Sequence, residues 1–123
     1  MQPSNNPIRI ESRATQDGQD LALWFLFEGP EGWRGPEAAL RFQLELDETY
    51  NRIEPYPETF GFYTNGFRRA HFEKLPCMVF YEVYEDETVI YSVAHVHEDE
   101  DKLIRRLHEA RAQGQRQQNQ AEG

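Results

Sequence analysis

The stretch "SVAHVHEDEDKL" (92–103) holds two histidines, His95 and His97, directly followed by four carboxylates. If the segment is a strand, residues two apart point to the same face, so both imidazoles would share one side. Glu98 or Asp99 could then complete a nitrogen and oxygen ligand set of the kind that transition metals accept. The spacing is not one of the specific metal-binding motifs, so we predict no metal site here.

The same carboxylates also fit the beginning of a helix. Glu98 or Asp99 can cap its N-terminus, and each acidic side chain in the first turn would gain about 0.3–1 kcal/mol from the helix dipole. In that interpretation His95 is a partly buried histidine at a strand end, held by one or two hydrogen bonds. The functional and the structural interpretation of His95 both remain open.

A basic cluster is formed by Arg68, Arg69, His71 and Lys74. Adjacent residues on a strand point to opposite faces, so Arg68 and Arg69 can serve one site only where the strand is twisted or bulged. We therefore expect one of the two arginines to face solvent or an acidic partner. The alternative is a solvated edge whose ion pairs contribute little.

The single cysteine, Cys77, is expected to be a buried apolar residue. A nucleophile and base pair with His95 is disfavoured because no third residue can be assigned to orient the base. One cysteine also excludes an internal disulfide, and the N-terminus has neither the basic nor the apolar region of a secretory signal. These features predict a cytoplasmic protein.

Charge and hydropathy narrow the classes of function. Thirteen Lys and Arg against 22 Asp and Glu give a formal net charge of −9, which disfavours free nucleic acid and anionic membranes as partners. The longest apolar run, Leu21–Phe27, is far shorter than the ~20 residues of a membrane span. No motif indicates a cofactor.

The N-terminal third of the chain predicts a strand and then a helix. Alternation at Ile8 and Ile10 is typical of a half-exposed strand. The next segment predicts a helix that begins near a Thr15 cap and ends at Gly29-Pro30, although its apolar run would also suit a buried strand. Its inward side chains are expected to be Leu21, Trp24 and Phe25.

The second helix has the clearest pattern. Pro36 suits its first turn, and Pro55 and Pro57 enforce its end. Spacings of three and four predict an inner face made of Ala39, Phe42, Leu46, Tyr50 and Ile53. The other faces are expected to carry Arg41, Glu45, Asp47 and Arg52.

The rest of the chain predicts three strands and a third helix. The strands cover about 67–72, 77–84 and 88–96, and the short turn "EDE" joins the last two. The helix starts near 98, with carboxylates in its first turn and arginines towards its end, which is the charge order that a helix dipole favours.

These elements predict an α+β fold. An N-terminal strand and a two-helix hairpin precede a small, mainly antiparallel sheet (β-α-α-β-β-β), and a C-terminal helix completes it. Residues 7–111 are expected to form a single domain. The polar segments 1–6 and 112–123 are expected to be disordered tails.

The element order and three stretches resemble the RelE/ParE superfamily of toxins from type II toxin-antitoxin modules, also called plasmid stabilisation proteins. The stretches are "AALRFQLELDETYNRIEPYPETF", "RRAHFEKLPCMVFYEVYED" and "VIYSVAHVHEDED". The resemblance covers about Ile8–Leu107. Five positions match the family pattern residue by residue. Arg68 and Arg69 match its paired arginines, and Pro76 matches its central proline. Tyr81 matches its strand tyrosine, and His95 matches the histidine after its last strand.

The sequence departs from the family pattern after the last strand. Glu98 and Asp99 stand where the family often has Arg-Asp, and Leu75 and Cys77 where it often has Phe and Tyr. Members of the RelE branch cleave RNA with positive side chains that stabilise the developing phosphorane, so an acidic Glu98 weakens that interpretation. The gyrase-inhibiting ParE branch, which has no known hydrolytic site, would tolerate the change better.

The resemblance implies a ParE-like toxin that binds a cellular target, with gyrase as a candidate, and is neutralised by a cognate antitoxin lying over the sheet and helical hairpin. Partner contacts are expected at Arg68, Arg69, Tyr81 and Arg105. The alternatives are a ribosome-dependent mRNA endoribonuclease and a non-toxic protein-binding relative, and a homodimer also stays open. For the endoribonuclease, the candidate acid/base and phosphate contacts are Arg68, Arg69, His71 and His95.

Overall fold

The structure, a computed structural model, describes residues 2–122, and the side chains of residues 2–116. Its elements are β1 (Ile8–Ile10), α1 (Ser12–Phe27), α2 (Pro36–Ile53), a 3-10 turn (Pro57–Thr59), β2 (Phe62–Thr64), β3 (Phe67–His71), β4 (Cys77–Val83), β5 (Thr88–His95) and α3 (Glu100–Glu122). The predicted order is confirmed, with β2 as an additional strand. None of the helices described is long and apolar enough to cross a membrane.

The strands form one sheet in the order β1-β5-β4-β3-β2. The pairs β2-β3, β3-β4 and β4-β5 are antiparallel, whereas β1 runs parallel to β5 with Ile10 beside Ile90. The predicted α+β class with a mainly antiparallel sheet is therefore confirmed.

Side-chain alternation along the strands creates two cores. On one face of the sheet, the rings of Phe25, Phe42 and Phe72 stack in a row and pack with aliphatic residues of β4 and β5. On the other face, α3 contributes Leu103 and Leu107. The central strands are thus buried on both sides, which explains their nearly continuous apolar sequence.

Helix α1 begins before the Thr15 cap predicted from the sequence, with Glu11 in the N-cap position. The pairing of β1 with β5 is the reason. The backbone N–H of Glu11 donates to the carbonyl of Ile90 (2.9 Å), and the carbonyl of Glu11 accepts from the N–H of Thr15 (3.1 Å). The chain therefore passes from strand to helix without a loop.

The inner face of α2 is largely as predicted, because Phe42, Leu46 and Ile53 are buried. Glu45, expected on an outer face, is also buried, with 6% of its surface exposed. Its carboxylate turns towards the loop between β3 and β4 and accepts two backbone hydrogen bonds there. The backbone N–H groups of this loop need hydrogen-bond acceptors, and Glu45 provides one although it is distant in sequence. This contact buries a residue whose charge would otherwise favour an exposed position.

Strand β2 lies in a segment that the sequence pattern assigns to a loop. Asn65 and Gly66 follow it with φ values of 49° and 87°, the positive values that a two-residue hairpin turn requires. Because Asn-Gly is the strongest short signal for a hairpin, this strand could have been predicted.

The segment 112–123, expected to be a tail, instead continues α3 as far as Glu122, while Gly123 lies outside the described residues. Alanine, glutamine and arginine are good helix formers, which accounts for the helix. Part of this extension also packs closely, since a Cβ atom on Gly114 would lie 2.5 Å from Oε1 of Glu11.

The N-terminal segment, also expected to be a tail, makes hydrogen bonds to the domain. The backbone N–H of Ser4 donates to the carbonyl of Pro55 (2.7 Å), and Nδ2 of Asn6 donates to the carbonyl of Glu85 (2.9 Å). Met1 lies outside the described residues.

Candidate functional site

The outer edge of β5 has no strand beside it beyond Ile90 in the described part of the chain, since β1 ends there. Asp17 of α1 covers this edge. Its Oδ2 accepts hydrogen bonds from the hydroxyl of Ser92 (2.6 Å) and the backbone N–H of Val93 (3.2 Å). Burial raises the pKa of Asp17, and the Ser92 hydrogen bond and the charge of Arg106 oppose this effect.

Arg106 of α3 reaches the same edge from the opposite face of the sheet. Its Nε donates to Oγ of Ser92 (3.1 Å) and lies 3.5 Å from Oδ2 of Asp17. Its terminal nitrogens pair with the carboxylate of Glu98, with 3.2 Å between Nη2 and Oε2. We call this group of side chains the Arg106 cluster; it consists of Asp17, Ser92, Glu98 and Arg106. In it, two carboxylates contact one guanidinium.

His95 ends β5 next to this cluster. Its Nδ1 accepts from the backbone N–H of His97 (3.1 Å), which leaves Nε2 to carry the proton of the neutral ring. The ring packs edge-on to Trp24, with 5.4 Å between ring centroids. Burial and the nearby His97 lower the pKa of His95, and Glu98 opposes them, so the net effect favours the neutral ring.

His95 and the charged side chains of the Arg106 cluster line a cleft of about 790 Å³, here called the His95 cleft. Trp24, Pro30 and Pro76 supply its apolar part, and its polar part comes from the two histidines, Asp17, Glu98 and Arg106. Among the described residues no three metal-ligating side chains converge. The cleft can therefore accept a polar group with an apolar neighbour, as a partner's side chain would present.

Three of the four carboxylates after β5 serve the start of α3, whereas Glu98 pairs with Arg106. Oδ1 of Asp99 accepts from the backbone N–H of Lys102 (3.0 Å), so Asp99 is the cap. Glu100 and Asp101 occupy the first turn, near the positive end of the helix dipole. The helix-start interpretation of these acids is confirmed.

Residues 8–100, which include the whole sheet, match the family model of the ParE toxin of type II toxin-antitoxin system, parDE. The chain belongs to the ParE toxin family. Among solved structures, one described as a chromosomal ParDE TA system from P. aeruginosa is similar, with a TM-score of 0.61 and 17% identity. The match covers 75% of this chain and 97% of that chain, and at this identity it shows the fold alone. No curated protein sequence matches.

In this ParE-family chain, the paired arginines lie on opposite faces of β3. The strand pairs with β4 in unbroken register, so no bulge brings Arg68 and Arg69 together. Arg69 and His71 line a groove beside α3, whereas Arg68 lies on the face of α1 and α2. Burial, followed by the charge of Arg69, lowers the pKa of His71.

His95 shares a face with Arg68, but the two are far apart. Their neighbours on β4 are Cys77 and Tyr81, four residues from each other. At ~3.3 Å per strand residue this separation is about 13 Å. The four candidate nuclease residues are therefore divided among three places.

Tyr81 and Arg68, two of the predicted partner contacts, make hydrogen bonds within the protein. Tyr81 is 0% exposed, and its hydroxyl donates to the carbonyl of Pro57 (2.6 Å), so it offers no surface to a partner. Arg68 donates to the carbonyl of Phe60 (2.7 Å) and lies 3.9 Å from the centre of the Phe62 ring. Both residues hold the segment before β3 in place.

Arg105 is exposed on α3 and, like the half-buried Arg69, is accessible to a partner. No local pattern indicates that its neighbour Arg106 turns inward. Asp17 and Ser92 are 75 residues apart, and no periodicity links them. The Arg106 cluster therefore could not have been found without the tertiary structure.

Proposed function

We propose that the chain is a growth-inhibiting toxin of the ParE type, which binds a cellular protein and is neutralised by a cognate antitoxin. DNA gyrase is the first candidate target, and the cytoplasm is the proposed compartment. The family match supports the toxin, and the likeness to a ParDE system is consistent with an antitoxin partner.

The charge of the His95 cleft is the observation that carries this proposal. RNA cleavage needs positive side chains around the scissile phosphate. In this cleft Asp17 and Glu98 already engage the guanidinium of Arg106, and burial lowers the pKa of His95, which disfavours its charged form. With Arg68 and Arg69 on different faces, the geometry favours a protein-binding toxin over a RelE-type endoribonuclease.

Inducible expression in a host bacterium tests the proposal. We expect growth arrest on induction and recovery when the cognate antitoxin is co-expressed. Purified protein should inhibit DNA supercoiling by gyrase and should leave mRNA intact on programmed ribosomes. A frameshifted gene is the control for the burden of expression.

Two outcomes would contradict the proposal. Normal growth despite abundant folded protein would point to a non-toxic relative. Cleavage of ribosome-bound mRNA, abolished by His95→Ala and by Arg69→Ala, would identify an endoribonuclease.

A further inference from the structure

Glu45 presents one unsatisfied carboxylate oxygen in the middle of α2. Its Oε1 accepts from the backbone N–H groups of Lys74 (2.8 Å) and Leu75 (3.3 Å). Its Oε2 is buried and has no hydrogen-bond partner among the described residues. Leaving a buried carboxylate oxygen unpaired is costly, so this atom is suited to a donor that the chain itself does not provide.

A cleft of about 670 Å³ adjoins this carboxylate, between α2, the loop before α2 and the loop between β3 and β4. Three large apolar side chains on its rim are exposed: Trp33 (47%), Leu40 (60%) and Leu44 (54%). Exposed aromatic and aliphatic side chains around a buried polar group are typical of a pocket that anchors a partner's side chain.

The charges of this cleft favour a cationic occupant. Glu45 is joined there by Glu37, Glu48 and Glu73. The cations that also line the cleft are Arg34, Arg41 and Lys74. Within the described part of the chain none of these three forms an ion pair with Glu45. The carboxylates outnumber the cations, and the chain as a whole carries a net charge of −9.

We propose that this Glu45 cleft receives an arginine side chain of a protein partner, an inference that rests on the proposed function as a protein-binding toxin. On binding, the side chains that cover Oε2 of Glu45 move aside and the guanidinium donates to this atom. Its flat face and stem lie against Trp33 and Leu44. Arginine fits better than lysine because its guanidinium is planar, weakly hydrated and able to stack on an aromatic ring.

The first test uses the free protein and small probes. N-acetyl-arginine amide is titrated into isotope-labelled protein, with N-acetyl-citrulline amide as the uncharged isostere. The arginine probe, and not the citrulline probe, should shift the amide signals of Lys74 and Leu75 and the indole signal of Trp33, with saturation in the millimolar range. Equal shifts from both probes, or shifts elsewhere, would overturn the inference.

The substitution Glu45→Gln isolates the carboxylate. The amide oxygen can still accept from Lys74 and Leu75, while the amide nitrogen places a donor where Oε2 was, so the fold is retained and arginine is repelled. Asp47→Asn, which removes the same charge from an exposed position of α2, is the matched control. The probe shifts should vanish in Glu45→Gln and persist in Asp47→Asn.

The second test uses the cognate antitoxin. Loss of one charged hydrogen bond should weaken its binding to Glu45→Gln about 10- to 100-fold, as measured by calorimetry, while Asp47→Asn stays within about twofold. Unchanged affinity for Glu45→Gln would overturn the inference. A chain that is not toxic, or has no such partner, would contradict the proposed function, and the probe titration would still decide whether the cleft binds a guanidinium.

Discussion

The imidazole of His95 is subject to influences of opposite sign. Burial and the neighbouring His97 lower its pKa, whereas the carboxylate of Glu98 raises it. Because the folded pKa lies below the ordinary value of 6.5, the unfolded chain takes up the proton first as the pH falls. His95 therefore costs stability as the pH falls through 6.5 towards its folded pKa.

Glu98→Gln should lower the pKa of His95 further, since it removes a carboxylate that raises this pKa and leaves Arg106 less neutralised. An NMR titration of the ring protons measures the change. Asp101→Asn removes an equal charge from an exposed position on α3 and should leave the titration curve in place. An unchanged or higher pKa in Glu98→Gln would refute this electrostatic account.

At the scale of single residues, a feature can be predicted from the sequence when the residues that cause it are close together in the chain. Asp99 could be predicted as a cap because capping involves residues three apart. The tautomer of His95 also depends on a close neighbour, His97, but it requires the backbone geometry at the end of β5. The burial of Glu45 depends on its hydrogen bond with Lys74, which is distant in sequence. No local pattern could have predicted it.

Two helical glycines show how α1 and α3 differ in their packing. A Cβ atom on Gly114 would lie 2.5 Å from Oε1 and 2.9 Å from Cδ of Glu11, whose buried carboxylate is paired with Arg9. A Cβ atom on Gly18 would meet only Cδ2 of Leu46, at 3.4 Å. Helix propensity favours alanine at both positions, so the pair separates propensity from packing.

Gly114→Ala should destabilise the protein by about 1–2 kcal/mol, because the cost of displacing Glu11 exceeds the ~1 kcal/mol that alanine gains in a helix. Gly18→Ala should be neutral or stabilise by up to about 1 kcal/mol. Urea unfolding of the two variants measures both values. If Gly114→Ala is the more stable variant, α3 does not approach Glu11 as the structure indicates.

Periodicity predicted the elements, and pairing partners set several of their ends. The helices and the buried strands carry patterns of 3.6 and two residues that can be recognised locally. The start of α1 at Ser12 depends on Glu11 reaching Ile90, which no local pattern shows. The three-residue β2 is too short to show a strand pattern, and Asn65-Gly66 is the local signal that marks its hairpin.

Across the whole molecule, the helical layers on the two faces of the sheet are tied together at the outer edge of β5. Arg106 of α3 contacts Asp17 of α1 there, with Ser92 between them. The side chain of Arg106 is mostly buried, whereas Arg105 beside it is exposed. The two arginines therefore differ in environment and not in chemistry.

Arg106→Met should destabilise the protein by about 2–3 kcal/mol, somewhat less than the ~3–5 kcal/mol for breaking a fully buried pair, because Asp17 loses its cation. Arg105→Met should change the free energy of unfolding by no more than about 0.5 kcal/mol. Denaturant unfolding compares them. Adding Asp17→Asn to Arg106→Met should recover part of the loss, and equal effects of the two arginine variants would contradict the role of Arg106.

The side chain of Asp17 also limits how the sheet can grow. A strand at the edge of a sheet offers free backbone N–H groups, to which a strand of another chain can add and so start aggregation. At β5 the N–H of Val93 already donates to Asp17. A strand arriving from another molecule would have to displace a buried carboxylate, so β5 resists polymerisation without needing a sixth strand to shield it.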